Sequence, residues 1–147
     1  MRITRKIEFD AGHRIPDHNS KCWNCHGHRY ILHATFEGVV VQEQGSDRGM
    51  VADFSVLKDI LVCTIDKRWD HGFLLYEDDL LGRDAMQMFG PRHKTVLLDV
   101  VPTVENLVVK AAEAISRELH HREITGFDLV HVRLFETPNC WADWSAK

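Results

Sequence analysis

Apolar and polar residues alternate at both ends of the chain, and this alternation is typical of half-buried β-strands. In the first strand Ile7 and Phe9 point to one face, whereas the intervening charged residues point to the other. Turn residues at 45–49 indicate that the second strand ends in a hairpin, with a return over 50–52. The main predicted strands span residues 3–11, 27–41, 126–136 and 140–144.

Two segments between these strands carry apolar residues three and four positions apart, which is the spacing of an amphipathic helix. Asp53 is the predicted N-cap of the first helix, which should end near Arg68, and Pro102-Thr103 opens the second helix. The intervening residues 75–101, called the excursion below, combine an acidic patch with a Gly-Pro step. We expect the excursion to be long and partly irregular, with a short strand at 94–99.

The resulting order of elements is ββ-α-α-ββ, with the helices gathered in the middle of the chain. It predicts an α+β fold in which an antiparallel four-stranded sheet is covered by two helices on one face. No internal repeat or linker interrupts the chain, so residues 1–147 are expected to form a single domain.

Composition and charge exclude several classes of protein. Apolar residues make up 44% of the chain and charged residues 27%, close to the globular average. The formal net charge of −4, without any basic run, argues against a nucleic-acid partner, and no apolar stretch is long enough for a membrane span. Residues 1–15 show no apolar signal region, so we expect a cytoplasmic protein with reduced cysteines, among which Cys63 is a small core residue.

The candidate chemistry is concentrated in Cys22-Trp23-Asn24-Cys25-His26-Gly27-His28, which places two thiols and two imidazoles within a short segment. His26 and His28 are two positions apart on a predicted strand, so their side chains share one face. His13 follows the inward-facing residues of the first strand at the same spacing. Three neutral imidazoles are the ligand set of a catalytic zinc that keeps a fourth position open.

Other interpretations of this motif exist. Cys22 to His26 has the literal Cys-x-x-Cys-His pattern of a c-type haem site, but haem attachment requires the export signal that residues 1–15 lack. A redox dithiol belongs at a helix start, whereas this motif enters a strand. A closed structural zinc site made by Cys22, Cys25, His26 and His28 is chemically sound, although it leaves His13 unexplained.

A second histidine motif, Asp70-His71, follows the first predicted helix. Adjacency in sequence does not make two side chains touch, and the simplest interpretation from this pair alone is a histidine in a surface loop. The following Gly72 suits a tight backbone turn.

Six motifs occur in order along the chain: residues 9–14, Cys22-x-x-x-His26-Gly27-His28, Asp53-Phe54-x-x-Leu57-Lys58, Asp70-His71, Pro102-Thr103-x-Glu105-Asn106 and Glu136-Thr137. Taken together, they resemble the family of 6-pyruvoyl-tetrahydropterin and 6-carboxy-tetrahydropterin synthases. The resemblance implies the tunnelling fold, in which the sheets of several subunits join edge to edge into a barrel, typically as a homohexamer of two trimers. It also implies Zn²⁺ as the cofactor and a small-molecule pterin as the substrate.

The resemblance also assigns roles to individual residues. Glu136 resembles the carboxylate that holds the pterin ring, since a carboxylate against a guanidine-like N–H edge makes a two-point, charge-assisted hydrogen bond. Thr103 and Glu105 match positions at the substrate pocket, although Thr103 also suits a helix cap. By the same resemblance the zinc ligands are His13, His26 and His28, and the catalytic residues are Cys22, Asp70 and His71.

The three-residue gap between Cys22 and His26 resembles the 6-carboxy branch of the family. That branch makes the queuosine precursor from 7,8-dihydroneopterin triphosphate, with release of acetaldehyde and triphosphate. The sequence departs from the family pattern in the length of the excursion, in Gly72 after the Asp-His pair and in the additional thiol of Cys25. A 6-pyruvoyl-tetrahydropterin synthase, which eliminates triphosphate, and a non-catalytic structural zinc domain are the alternatives.

Overall fold

A single six-stranded sheet organises the protein. The computed structural model describes residues 1–147, and the sheet order is β4-β3-β1-β2-β5-β6. Strands β1, β2, β5 and β6 pair antiparallel, whereas β3 pairs parallel to both β1 and β4. The strands are β1 Arg2–His13, β2 His26–Gly38, β3 Gly72–Tyr76, β4 Thr95–Leu98, β5 Phe127–Thr137 and β6 Cys140–Ser145.

The α+β class is confirmed, but the sheet differs from the predicted four-stranded antiparallel one because it is larger and mixed. Of the two additional strands, β3 begins at Gly72 and β4 lies within the excursion. These strands contain only 5 and 4 residues, too few for a clear alternation, and their place depends on β3 pairing with distant β1. The short strand expected at 94–99 is confirmed as β4.

The two helices predicted from the sequence begin at side-chain caps. Asp53 Oδ1 accepts a hydrogen bond from the Ser55 backbone N–H (2.7 Å), and Thr103 Oγ1 accepts one from the Asn106 N–H (3.4 Å), so the cap predicted at Asp53 and the helix opening at Pro102-Thr103 are confirmed. The first predicted helix contains a π-helical turn, Val62–Asp66, between two α-helical pieces. The helices are α1 Phe54–Leu61, α2 Lys67–Trp69, α3 Leu80–Gln87 and α4 Val104–His121. None of them is both long and apolar enough to cross a membrane.

The core lies between α1, α4 and one face of the sheet. Tyr30, Leu32 and Phe36 of β2 are fully buried there, against Leu57 of α1 and Leu107 of α4. The apolar residues of the alternating pattern in β1 and β2 therefore point into the core, as predicted. Cys63, predicted as a small core residue, is only partly buried, and its Sγ lies 3.9 Å from Glu118 Oε1.

The predicted hairpin after β2 is wrong. β2 ends at Gly38, and residues 39–53 form a loop in which the Val41 N–H donates to the Met50 carbonyl (2.9 Å) without forming a strand. A Cβ atom on Gly38 would lie 2.5 Å from the Gly126 carbonyl oxygen. The backbones of Gly38 and Gly126 therefore approach each other closely at the point where β2 ends.

Candidate metal and substrate site

Three histidines converge where β1 ends and β2 begins. In the antiparallel register His13 pairs directly with His26, and His28 pairs with Ala11. Directly paired residues project to the same face, and His28 is two positions from His26, so all three rings share the helix-covered face. Their ring centroids are 4.4 Å (His13–His26), 5.2 Å (His13–His28) and 5.0 Å (His26–His28) apart.

The histidine rings are oriented as metal ligands require. His13 Nδ1 donates to the Pro102 carbonyl and His26 Nδ1 donates to the Asn24 carbonyl, both at 2.8 Å. These bonds leave Nε2 of each ring with a free lone pair, which is the usual arrangement of a metal-bound histidine. His13 Nε2 is buried without a hydrogen-bond partner, and one nitrogen from each of the three rings lies within 4.8 Å of the others. The residues therefore fit a divalent metal ion.

Burial disfavours the charged form of two of these rings. Burial, opposed by the hydrogen bond to Pro102, lowers the pKa of His13 to about 4. Burial also lowers the pKa of His28, against the opposite influence of the Glu136 carboxylate. Because metal ligands must be deprotonated, the lowered pKa values of His13 and His28 favour metal binding at neutral pH.

A cavity of about 580 Å³ opens beside His13. Glu136 Oε1, at the end of β5, lies 3.6 Å from His13 Nε2 and 4.0 Å from His28 Nε2. Among the residues predicted from sequence, this cavity brings together His13, Cys22, Thr103, Glu105 and Glu136. The Thr103 hydroxyl also caps α4, so the two interpretations of this residue are compatible.

The two thiols of the motif occupy different environments. Cys22 lies in a short 3₁₀-helix, Lys21–Trp23, is partly buried and lines the cavity, whereas Cys25 is exposed and does not line it. The candidate metal group contains no thiol. In this structure the two cysteines do not join two histidines in a candidate metal group.

His71 lies elsewhere, in a second cavity of about 520 Å³ that it shares with His28 and Arg29, and Asp70 does not line that cavity. His71 Nδ1 and Asp70 Oδ2 are 2.7 Å apart, so the neighbouring side chains do touch. The backbone of His71 is left-handed (φ 54°), a conformation that sequence adjacency does not reveal. The His71 side chain is 80% exposed, and neither residue lines the Cys22 cavity.

Sequence reasoning missed the polar and aromatic side chains of His18, Cys140 and Trp141, which also line the Cys22 cavity. Cys140 and Trp141 open β6, immediately after the turn that follows Glu136 and Thr137. Their closeness to a recognised motif was the only available signal. His18 Nδ1 accepts a hydrogen bond from the Ser20 N–H (3.1 Å), which fixes its ring in the loop before Cys22.

Fold and site together define an α+β protein with a three-histidine centre at one end of its sheet. The profile of the family described as 6-pyruvoyl tetrahydropterin synthase matches residues 2–147, and the chain belongs to this family. It is therefore an enzyme of the tetrahydropterin synthase kind.

Individual relatives support this assignment. The 6-carboxy-5,6,7,8-tetrahydropterin synthase of Rickettsia bellii is 36% identical over 144 residues, which cover 97% of this chain and 99% of the relative. The corresponding protein of Haemophilus influenzae is 29% identical, covering 98% of each chain.

Solved structures share the fold. An uncharacterized Wolinella succinogenes protein, WS1659, superposes with a TM-score of 0.76 at 20% identity, covering 100% of this chain and 98% of that one. The 6-pyruvoyl tetrahydropterin synthase of Caenorhabditis elegans gives a TM-score of 0.67 at 23% identity, covering 100% and 96%.

Proposed function

We propose that this protein is a zinc-dependent 6-carboxy-5,6,7,8-tetrahydropterin synthase acting on 7,8-dihydroneopterin triphosphate in the cytoplasm, on the route to queuosine. The observation that carries the proposal is the convergence of three imidazoles, one of which, His13, lines a cavity together with Cys22 and Glu136. The three-residue gap between Cys22 and His26, and relatives named as 6-carboxy synthases, favour the 6-carboxy branch.

In this proposal His13, His26 and His28 hold the zinc ion. The chemistry that zinc supplies at such a site is Lewis-acid polarisation of the side-chain hydroxyls of the substrate. The hydrogen bonds from Nδ1 of His13 and His26 to backbone carbonyls fix the rings and direct Nε2 lone pairs inward. Cys25 is exposed, which favours a catalytic site held by imidazoles over a structural site held by thiolates.

The protein residues around the metal group bind substrate and move protons. The Glu136 carboxylate accepts hydrogen bonds from the guanidine-like edge of the pterin, and Thr103 and Glu105 line the same pocket. The Cys22 thiol exchanges a proton with the substrate side chain. Asp70 holds Nδ1 of His71, so that His71 Nε2 is free for a second proton transfer.

The separation of Asp70-His71 from Cys22 supports an oligomeric enzyme. His71 is exposed, and the sheet ends in two unpaired edges, β4 and β6. Unpaired edges invite pairing with another copy, and such pairing can bring His71 of one copy to the Cys22 cavity of a neighbour. We propose a homohexamer built from two trimers.

The proposed reaction is tested by incubating the zinc-loaded protein with 7,8-dihydroneopterin triphosphate and identifying the products by mass. The proposal predicts 6-carboxytetrahydropterin, acetaldehyde and triphosphate. A 6-pyruvoyl product with triphosphate alone would assign the chain to the other branch. Zinc binding without any conversion would leave only a structural role for the metal and would contradict the proposal.

A further inference from the structure

A buried ion pair joins the end of β1 to the excursion. Arg14 directly follows the metal-ligand candidate His13, and Asp79 is the N-cap of α3; each is only 6% exposed. Arg14 Nε lies 2.9 Å from Asp79 Oδ2, although the two atoms lack hydrogen-bond alignment. In a buried ion pair, removing one charge leaves the other without compensation, which is strongly destabilising.

The Asp79 carboxylate has little freedom to move. Its Oδ1 accepts a hydrogen bond from the Gly82 N–H (3.0 Å) at the first turn of α3. A Cβ atom on Gly82 would lie only 2.5 Å from Asp79 Oδ2, so the backbone of the helix closes over the carboxylate. The excursion therefore presents a fixed negative charge to Arg14.

Arg14 in turn contacts the loop that carries Cys22. Its guanidinium carbon lies 5.0 Å from the centre of the Trp23 ring, which is a cation–π distance. The next residue, Ile15, donates its backbone N–H to the Cys22 carbonyl (2.9 Å). The backbone of Cys22 and the side chain of Trp23 are thus both attached to the Arg14-Ile15 segment.

We infer that Asp79 and Arg14 are positioning residues: through them the excursion holds the Cys22 thiol at the cavity beside His13. This inference rests on the proposed catalytic role of Cys22. Without the Asp79 charge, the Arg14 guanidinium is a buried charge without a partner, and it moves toward water. Trp23 then loses its contact, and the 3₁₀-helix that contains Cys22 opens more often.

The test measures the alkylation rate of Cys22 by iodoacetamide in the full-length, zinc-loaded protein, with the labelled site resolved by mass spectrometry. Trp23→Leu removes the cation–π contact and should raise the Cys22 rate about two- to fivefold, and Asp79→Asn should raise it further. The rate at exposed Cys25 is the internal reference. Arg83→Ala is the matched control, because Arg83 also lies in α3 but donates to the Glu77 carbonyl (3.0 Å).

The same variants are assayed for turnover and zinc content. We expect kcat to fall by a factor similar to the rise in Cys22 alkylation, while KM and zinc content stay near those of the wild type. If Arg14 and Asp79 had only a structural role, the variants would be less stable, but kcat would not fall at an unchanged KM. Trp23 is 44% exposed, so Trp23→Leu remains informative even if Asp79→Asn does not fold.

Unchanged Cys22 alkylation in folded Trp23→Leu and Asp79→Asn proteins would overturn the inference, as would an equal increase in Arg83→Ala. If Cys22 alkylation rises as expected but the wild type itself does not convert the pterin, the coupling is supported and the proposed function fails. If the wild type turns over and the variants match it in both kcat and alkylation, the proposed function stands and the coupling is wrong.

Discussion

Replacing Glu136 by Gln tests the proposed pterin anchor with the smallest possible change. Glutamine keeps the size of the side chain but removes its charge and replaces one acceptor oxygen with a donor group. The carboxylate lies at the cavity beside two ligand candidates, with Oε1 3.6 Å from His13 Nε2 and 4.0 Å from His28 Nε2. Because three imidazoles form the metal group without Glu136, zinc content should not change.

The expected loss follows from the hydrogen bonds that the carboxylate makes. A hydrogen bond to a charged group contributes about 1.5–3 kcal/mol, and each 1.4 kcal/mol is about tenfold in affinity. The Glu136 side chain is 22% exposed, so water screens the interaction only partly. Glu136→Gln should therefore weaken substrate binding about 10- to 150-fold.

The assay is the dissociation constant of 7,8-dihydroneopterin triphosphate, measured by calorimetry in zinc-loaded Cys22→Ala protein so that the substrate is not consumed. Glu37→Gln in the same background is the control, because Glu37 is an exposed strand residue whose carboxylate accepts from Arg2 Nε at 3.2 Å. Equal affinities in the Glu136→Gln and Glu37→Gln proteins would refute the anchor.

Three further predictions follow from the same geometry. Cys22→Ala should keep its zinc, but its turnover rate should fall by a factor of about 10²–10⁴, whereas Cys25→Ser should stay active. Loss of zinc in both variants would instead support a zinc site held by thiolates. In the metal-free protein the pKa of His13 is lowered, so as the pH falls the unfolded state takes up a proton before the folded state does. The free energy of unfolding should therefore fall by up to about 3 kcal/mol between pH 6.5 and pH 4. Denaturant titrations should show a weaker pH dependence for His13→Gln. Light scattering should show an oligomer at micromolar concentration, and a stable monomer would contradict the proposed assembly.

Much of the fold follows from local patterns. The alternation around Phe9 and the helical spacing after Asp53 and Thr103 are properties of short segments, and each produced the predicted element. Of the β3–α3–β4 unit, only the short strand β4 was predicted. Its strands are short: β3 is held in the sheet by pairing with β1, and β4 by pairing with β3. Asp79, which caps α3, is held by Arg14 from a distant part of the sequence.

In the candidate site, too, the features set by local sequence could be predicted and the features set by tertiary structure could not. The spacing of His26 and His28 sets them on one face from sequence alone, whereas the register that places His13 opposite His26 is tertiary. The contact between Asp70 and His71 depends on one left-handed backbone conformation. No periodicity in a sequence encodes that conformation, so the adjacent pair alone suggested a surface loop.

Zinc titration of the metal-free enzyme tests the central claim most directly. Turnover of 7,8-dihydroneopterin triphosphate is followed while zinc is added to the wild type and to His28→Ala, which retains both cysteines of the motif. The three-histidine centre predicts that wild-type activity appears with zinc and saturates at one ion per chain, and that His28→Ala binds zinc at least about tenfold more weakly. Turnover by the metal-free wild type, or unchanged zinc affinity in His28→Ala, would contradict it.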